Sequence, residues 1–282
     1  MTTTTIDPLA ELKQRQQATW ASGDYSAVAA LIVPVAERLV DLADLRAGSR
    51  VLDVATGSAN AALAAARLQA DVVGIDYVEA LLERGRERAA AEGLEIDLRP
   101  GDAEDLPFPD SSFDAVLSVF GSMFAPDHDR TAREIRRVTR PGGTIALASW
   151  TPDGFIGALF RLVAQFAPPP AGLESPVLWG TADHVASLFG PDVRWAHTTE
   201  TFTFRFPTAD AFADYFARHY GPTLKALGPA GDRAEELRSG LTELARTWNR
   251  LGQDGPVALP ATYLASVGER APEQAPTSER GA

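Results

Sequence analysis

The chain has 282 residues, of which 45% are hydrophobic and 23% charged, the balance of an ordinary globular protein. Its 38 acidic residues outnumber 26 basic ones and give a formal net charge of −12, which disfavours nucleic acid or an anionic membrane as the main partner. The absence of cysteine excludes disulfides, thiolate metal sites and cysteine nucleophiles. No signal-peptide pattern or membrane-length apolar run is present in the sequence, so we expect a cytoplasmic protein.

Residues 48–150 alternate short apolar runs with helical patterns, which predicts a parallel sheet with helices on both faces. The predicted strands of this region are 50–54, 71–75, 95–99, 113–119 and 143–149. The predicted helices between them are 61–68, 78–91 and 129–139. This region is expected to be a Rossmann-like core.

The flanking regions have less regular patterns. Residues 1–47 form a predicted N-terminal helical segment, and residues 151–267 a predicted helical lid with the final strands of the sheet. The lid elements are helices at 155–166, 183–189, 208–220 and 232–250, and strands at 198–206 and 261–267. Residues 268–282 are polar and contain proline, so we expect a disordered tail. The predicted fold is therefore α/β, with a doubly wound, mostly parallel seven-stranded sheet and a helical cap inserted after the fifth strand.

Acidic side chains lie at or directly after the ends of three predicted strands. Asp53 belongs to the first, Asp76 follows the second, and Asp102 follows the third with Ala103 beside it. Because ligands bind at the carboxyl ends of parallel strands, these residues are candidate ligand contacts. Asp76 can accept both hydroxyls of a ribose, Asp102 can accept from an exocyclic amine, and the Ala103 N–H can donate to a ring nitrogen.

Two ligands compete for this edge of the sheet. A dinucleotide site requires Gly-x-Gly-x-x-Gly, but the window 55–60 keeps only Gly57. A carboxylate at Asp53 would repel a pyrophosphate, whereas it suits an ammonium group. A ligand with adenine, ribose and an amino-acid tail fits all three features, which favours S-adenosylmethionine (SAM) over NAD. An NAD-dependent oxidoreductase remains the weaker alternative.

A family resemblance rests on five segments in a fixed order. The segments are Val51–Gly57, Gly74–Asp76, Gly101–Phe108, Ser112–Val116 and Arg137–Gly143. Together they resemble the class I SAM-dependent methyltransferases. More narrowly, they resemble the branch that contains the ubiquinone and menaquinone-biosynthesis methyltransferases and many tailoring enzymes of secondary metabolism. The chain departs from this family by having Ala55 and Ala59 where glycines are commonest.

The resemblance implies how a cofactor would lie. Asp53 and residues 55–59 would face the methionine part, Asp76 the ribose, and Asp102 the adenine. The backbone at Val119 and the side chain of Phe120 would enclose the cofactor near its sulfonium. Residues 20–25 resemble an N-terminal segment that closes over the cofactor. The predicted cofactor-binding residues are Asp53, Ala55, Thr56, Gly57, Ala59, Asp76, Tyr77, Gly101, Asp102, Ala103, Val119, Phe120 and Tyr25.

Transfer from a sulfonium is an in-line displacement that depends on positioning the acceptor and excluding water. A base is needed only if the acceptor must lose a proton, and the chain offers His128, His184, His197 and His219. We take His219 and His128 as the catalytic candidates, although a packing or capping role competes for both. His219 shares one predicted helix face with four aromatic residues, which is also the pattern of a buried helix.

An apolar acceptor site is predicted around the catalytic candidates. Relatives often carry histidine just after the fourth strand, whereas this chain has Met123 and Phe124 there. Aromatic residues of the lid would complete a mostly apolar pocket. The predicted substrate-binding residues are Met123, Phe124, Trp150, Phe155, Trp179, Tyr215, Phe216 and Tyr220.

The sequence thus predicts a SAM-dependent methyltransferase that acts on a small, fairly hydrophobic phenol, quinol, enolate or amine. The main alternative is an enzyme of the same fold that no longer methylates, such as a cyclase or isomerase that uses bound SAM. We expect a small-molecule partner, no metal, no nucleic acid and no membrane span, and a homodimer is compatible with the sequence.

Overall fold

The computed structural model describes residues 8–170, 172–228, 233–252 and 255–272. Seven strands form one sheet with the spatial order β3-β2-β1-β4-β5-β7-β6. The strands are β1 (Arg50–Val54), β2 (Asp71–Asp76), β3 (Asp97–Pro100), β4 (Phe113–Val119), β5 (Thr139–Trp150), β6 (Val193–Phe206) and β7 (Val257–Arg270). The first five strands are parallel, and β7 runs antiparallel to both β5 and β6. The predicted fold class is confirmed.

Eleven helices are present among the described residues. They are α1 (Pro8–Trp20), α2 (Tyr25–Leu31), α3 (Val33–Leu42), α4 (Asn60–Arg67), α5 (Glu79–Glu92), α6 (His128–Val138), α7 (Phe155–Ala164), α8 (Ala182–Phe189), α9 (Ala209–His219), α10 (Gly221–Leu227) and α11 (Ala234–Trp248). Two begin at side-chain caps, since Asp127 accepts from the Arg130 N–H and Thr208 from the Ala211 N–H. None of the helices in the described part of the chain is long and apolar enough to cross a membrane.

The last two strands are longer than the sequence predicted. β6 and β7 pair over their full lengths, from Val193 opposite Arg270 to Phe206 opposite Val257. Pro260 and Gly268 are strand-breaking signals, but Pro260 lies where β7 pairs with β6 alone. Residues 268–270 therefore belong to the sheet and not to the tail, and residues 273–282 lie outside the described part.

The cap is built by α7 to α11 together with the N-terminal helices. The predicted helix 208–220 corresponds to α9, and the extended backbone of Tyr220 separates it from α10, which the sequence did not predict. Gly221 follows this break, and a Cβ there would lie 2.2 Å from the Thr19 carbonyl oxygen. Glycine thus allows α10 to pack directly on α1, which brings the N-terminal segment and the cap together over the sheet edge.

Candidate cofactor and acceptor site

Strained backbone marks the point where the strand order reverses, between β1 and β4. Ala55, Gly57 and Ala59 all have positive φ, at 54°, 55° and 69°, and Phe120 after β4 has φ 56°. Such conformations are uncommon for residues with a Cβ and tend to cluster at functional sites. The two alanines therefore adopt the backbone for which glycine is commoner in the family that the sequence resembles.

The turns after these two strands touch each other. A Cβ at Gly121 would lie 2.5 Å from the Ala55 carbonyl oxygen, so only glycine fits there. Arg88 of α5 supports the same turn by donating to the Ser58 carbonyl at 2.5 Å and to Asn60 Oδ1 at 2.7 Å. The sheet edge is thus held in a fixed shape around an open cleft.

The cleft contains about 1160 Å³ of space between atoms, part of it open to solvent. All of the predicted cofactor-binding residues line it except Ala59 and Gly101. Ala59 is fully buried at the start of α4, and a Cβ at Gly101 would face the Ile75 side chain at 3.1 Å. These two residues shape the turns without reaching the cleft.

Asp53 is a buried carboxylate with one oxygen left for a ligand. The Thr56 hydroxyl at 2.6 Å and the Ala62 N–H at 2.9 Å both donate to its Oδ2. None of the described residues donates a hydrogen bond to Oδ1. Burial raises the pKa of Asp53 to about 7, because its effect is larger than the opposite effect of the hydrogen bonds from Thr56 and Ala62. A cationic group beside Asp53 would relieve that cost.

Asp76 lies at the end of the neighbouring strand. Its Oδ2 accepts from the Gly57 N–H at 2.9 Å and its Oδ1 from the Val78 N–H at 2.8 Å. Burial raises the pKa of Asp76 to about 6 against these hydrogen bonds. Each carboxylate oxygen still has a second lone pair for a hydroxyl donor. The side chain is therefore fixed in place and able to accept from a diol.

Asp102 is engaged by a residue that the sequence did not indicate. The Lys13 ammonium lies 2.6 Å from Asp102 Oδ2 and 2.5 Å from Oε2 of the fully buried Glu104. Burial lowers the pKa of Lys13, but hydrogen bonds and charge from both carboxylates raise it overall. Helix α1 is thereby tied to the edge of the cleft, and Gln17 adds a hydrogen bond to the Tyr77 carbonyl.

A smaller aromatic cavity adjoins the cleft. Trp20, Tyr25, Ile32 and Phe124 line both spaces, so they form the shared wall. The remaining lining of the aromatic cavity is Val28, Trp150, Ile156, Leu159, Phe160, Phe204, Phe216 and Tyr220. Burial raises the pKa of the two tyrosines, which keeps their phenols protonated. The cavity is thus apolar apart from two phenol groups.

Half of the predicted substrate-binding residues line this cavity or the cleft, and the other half pack nearby. Phe124, Trp150, Phe216 and Tyr220 line the aromatic cavity. Met123, Phe155 and Trp179 are fully buried in the core, and the Tyr215 hydroxyl donates to the Ala27 carbonyl at 2.8 Å. The aromatic stripe on α9 therefore divides, with Phe216 and Tyr220 facing the cavity and Tyr215 packing against α2.

The four histidines lie outside the lining of both spaces. His219 packs on the Tyr215 ring at 4.7 Å between centroids, and His197 Nδ1 lies 2.9 Å from the Ser266 hydroxyl. His128 Nδ1 lies 3.1 Å from His184 Nε2, and burial lowers the pKa of His128. The structure thus places both catalytic candidates, His219 and His128, outside the lining of the cleft and of the aromatic cavity.

Sequence reasoning did not find Lys13, Gln17 or Arg88. The two residues of α1 belong to a polar helix with no motif, and only the fold brings that helix to the cleft. Arg88 has the i,i+4 charge pattern of an exposed helix face, which concealed its contact with the turn after β1. No sequence signal separates these three residues from their exposed neighbours.

Comparison with known proteins agrees with this geometry. Residues 52–147 match the family described as "Methyltransferase domain". The uncharacterized protein Rv1403c of Mycobacterium tuberculosis is 44% identical over 237 residues, which are 81% of this chain and 86% of that protein. The demethylmenaquinone methyltransferase of Deinococcus radiodurans is 41% identical over 127 residues, which are 44% of this chain and 53% of that enzyme.

A solved structure shows the same fold. The YcgJ protein of Bacillus subtilis superposes with a TM-score of 0.58 at 22% identity, covering 84% of this chain and 98% of that one. The match to the methyltransferase family covers the strands that build the cleft, and the similarity to the M. tuberculosis protein covers 81% of the chain. The chain therefore belongs to the class I SAM-dependent methyltransferases.

Proposed function

We propose that the cleft binds SAM and that a small, apolar methyl acceptor binds where the cleft opens onto the aromatic cavity. The observation that carries this proposal is the shared wall of Trp20, Tyr25, Ile32 and Phe124, which sets a charged cleft directly against an apolar cavity. Methyl transfer requires the donor and acceptor to meet in such an adjoining arrangement.

The residues of the cleft fit the cofactor. The free Oδ1 of Asp53 suits the ammonium of the methionine part, and the fixed carboxylate of Asp76 suits the two ribose hydroxyls. Asp102 and Ala103 also line the cleft and suit the adenine. The exocyclic amine of the adenine would compete with the Lys13 ammonium for Asp102 Oδ2. Bound there, SAM would supply an electrophilic methyl group.

The chemistry of the aromatic cavity restricts the acceptor. Its lining carries no Asp, Glu, Lys, Arg or His among the described residues, so a charged acceptor would lose hydration without gaining a partner. The phenols of Tyr25 and Tyr220 can donate a hydrogen bond to an acceptor oxygen. Their raised pKa keeps them protonated, so neither is available to take up a proton. The acceptor therefore has to bring its own nucleophile, as an electron-rich phenol, quinol, enol or amine does.

Water exclusion is the second contribution of the cavity. Trp20 packs edge-on against Tyr25, Phe124 and Tyr220, with ring centroids 5.2, 4.7 and 5.9 Å apart. Phe120, which lines the cleft, stacks on Trp150, which lines the cavity, at 3.7 Å and an angle of 3°. Packed aromatic walls of this kind position a flat acceptor and keep water from the reacting methyl.

The proposal is tested by incubating the purified chain with labelled SAM and a panel of phenols, quinols and amines, with mass spectrometry of the products. We expect one apolar aromatic compound to gain a single methyl group, and Asp53→Asn to abolish the gain. An acceptor that is converted without gaining a methyl would instead support the cyclase or isomerase alternative. No conversion of any apolar compound, with methylation of charged ones, would contradict the proposed acceptor class.

A further inference from the structure

Three side chains with metal-ligating atoms converge outside the cleft and the aromatic cavity. His128 begins α6, His184 belongs to α8, and Glu174 precedes the short 3₁₀ turn Pro176–Gly180. His128 Nδ1 lies 3.1 Å from His184 Nε2 and 3.5 Å from Glu174 Oε2. All three ligand atoms lie within 4.8 Å of one another.

The two distances from His128 Nδ1 are close to the geometry of a single zinc ion. Zn²⁺ binds imidazole nitrogen and carboxylate oxygen at about 2.0–2.2 Å in a tetrahedral arrangement, which places two ligand atoms about 3.3–3.5 Å apart. A hydrogen bond between the two imidazoles would explain only the 3.1 Å distance between them. It does not explain why a carboxylate approaches the same nitrogen from a third segment of the chain.

The surroundings of the cluster also favour a cation. His128 is buried and its ring lies edge-on to the fully buried Trp179, with centroids 5.6 Å apart, so one ligand is held rigidly. Helix α8 packs against α6, which fixes the second histidine relative to the first. Asp127 and Asp129 flank His128 in the chain and add two carboxylates to that of Glu174. A divalent ion would therefore enter a preformed site of negative potential.

We propose that His128, His184 and Glu174 bind one Zn²⁺ ion. Three protein ligands leave the fourth position for water, which distinguishes the site from closed structural zinc sites with four protein ligands. The ion would join α6, α8 and the segment before Pro176, next to the part of the chain where Pro126 lines the cleft. The proposed methyl transfer does not require it, so this site is separate from that function. It also departs from the sequence-based expectation of no metal.

The test is a zinc titration of the chelator-treated full-length chain by calorimetry. We expect one zinc ion per chain, with affinity falling at least about 100-fold in His184→Ala and about 10-fold in Glu174→Gln. His197→Ala is the matched control, because it also removes one imidazole but from a histidine that hydrogen-bonds Ser266 on the last strand. Its zinc affinity should equal that of the unmodified chain.

Two results would overturn the proposal. One is the absence of saturable binding up to about 100 µM Zn²⁺, and the other is an unchanged affinity in both ligand variants. Thermal melting without zinc shows whether each variant is folded. If His184→Ala is unfolded, Glu174→Gln decides alone, because Glu174 is exposed and its substitution leaves the packing intact.

Discussion

The cleft and the aromatic cavity share a wall but have opposite chemistry. The cleft gathers three carboxylates at the ends of consecutive strands, each held by backbone or side-chain donors. The cavity offers aromatic and aliphatic side chains with two protonated phenols. The difference suggests that charge and hydrogen bonds fix the cofactor, whereas shape and the exclusion of water select the acceptor.

The two regions also contribute in opposite directions to stability. Burial raises the pKa of Asp53 to about 7 and of Asp76 to about 6, so the folded chain binds these protons more tightly than the unfolded chain does. Their contribution to stability is therefore lost as the pH rises from about 4 through 7. The aromatic cavity, in contrast, belongs to the main hydrophobic core. Ligand binding at the cleft is thus obtained at the expense of folding stability.

The largest expected effect is on the cavity side. Phe216→Ala should reduce the free energy of unfolding by about 3–5 kcal/mol, because the side chain is buried against Phe204, Phe212 and Tyr220. Urea denaturation measures this loss. Phe202→Ala is the control, since Phe202 is only half-buried and does not line the cavity, and should cost clearly less. Equal losses of unfolding free energy in the two variants would show that the lining of the cavity contributes no more to stability than a half-buried position does.

Asp53→Asn should act on the cleft alone. We expect affinity for S-adenosylhomocysteine to fall by about 2–3 kcal/mol, the scale of a hydrogen bond to a charged group. The melting temperature at about pH 8 should not fall, because the substitution removes a buried charge. Calorimetry and thermal melting measure the two quantities. Asp71→Asn, at the exposed start of β2, is the matched control and should change neither. If Asp53→Asn lowered the melting temperature but kept its affinity for S-adenosylhomocysteine, Asp53 would serve folding and not ligand binding.

Asp76→Ala should weaken cofactor binding by about 1–3 kcal/mol, since a hydrogen-bonded charged partner of the ribose is lost. The same substitution frees the N–H groups of Gly57 and Val78, so Asp76→Asn separates the two effects by keeping an acceptor oxygen. Calorimetric titration with S-adenosylhomocysteine is the measurement. An unchanged dissociation constant in Asp76→Ala would show that the assignment of Asp76 is wrong.

The pH dependence of binding should be the smallest of these effects. The raised pKa of Asp53, about 7, means that an ammonium ligand must displace a proton below that pH. Affinity should therefore rise with pH up to about 7 and fall below it by at most about tenfold per pH unit. Calorimetry over about pH 6–8, in buffers with different heats of ionisation, measures the proton released. Asp53→Asn should flatten the profile, and an equal slope in that variant would assign the proton to another group.

Sequence reasoning predicted the first five strands and the residues at their ends well, because both follow from local patterns. Asp53, Asp76 and Asp102 each stand at or directly after a strand end, so placing the strands places the residues. Gly57, the one glycine that the sequence keeps in this turn, has a positive φ of 55°. The close approach of Gly121 to the Ala55 carbonyl was not foreseeable, because it joins turns that follow two different strands.

The rest of the molecule depends on contacts between distant segments, which no local pattern encodes. The aromatic stripe on α9 indicated a buried helix but not which residues face the cavity, and Tyr215 turns to Ala27 in α2. Lys13 reaches Asp102 from 89 residues away. The extra length of β7 comes from its pairing with β6 from Val257 to Arg270, which outweighs the local signals of Pro260 and Gly268. Predictions failed where tertiary pairing outweighed local preference.

We propose above all that the carboxylates at the strand ends hold the cofactor by its amino-acid, ribose and adenine parts. A crystal structure of the chain with S-adenosylhomocysteine tests this claim most directly. We expect the ligand's amino group about 3 Å from Asp53 Oδ1, its ribose hydroxyls at Asp76 and its adenine amine at Asp102. A nucleoside bound elsewhere, or an amino group turned away from Asp53, would contradict the account.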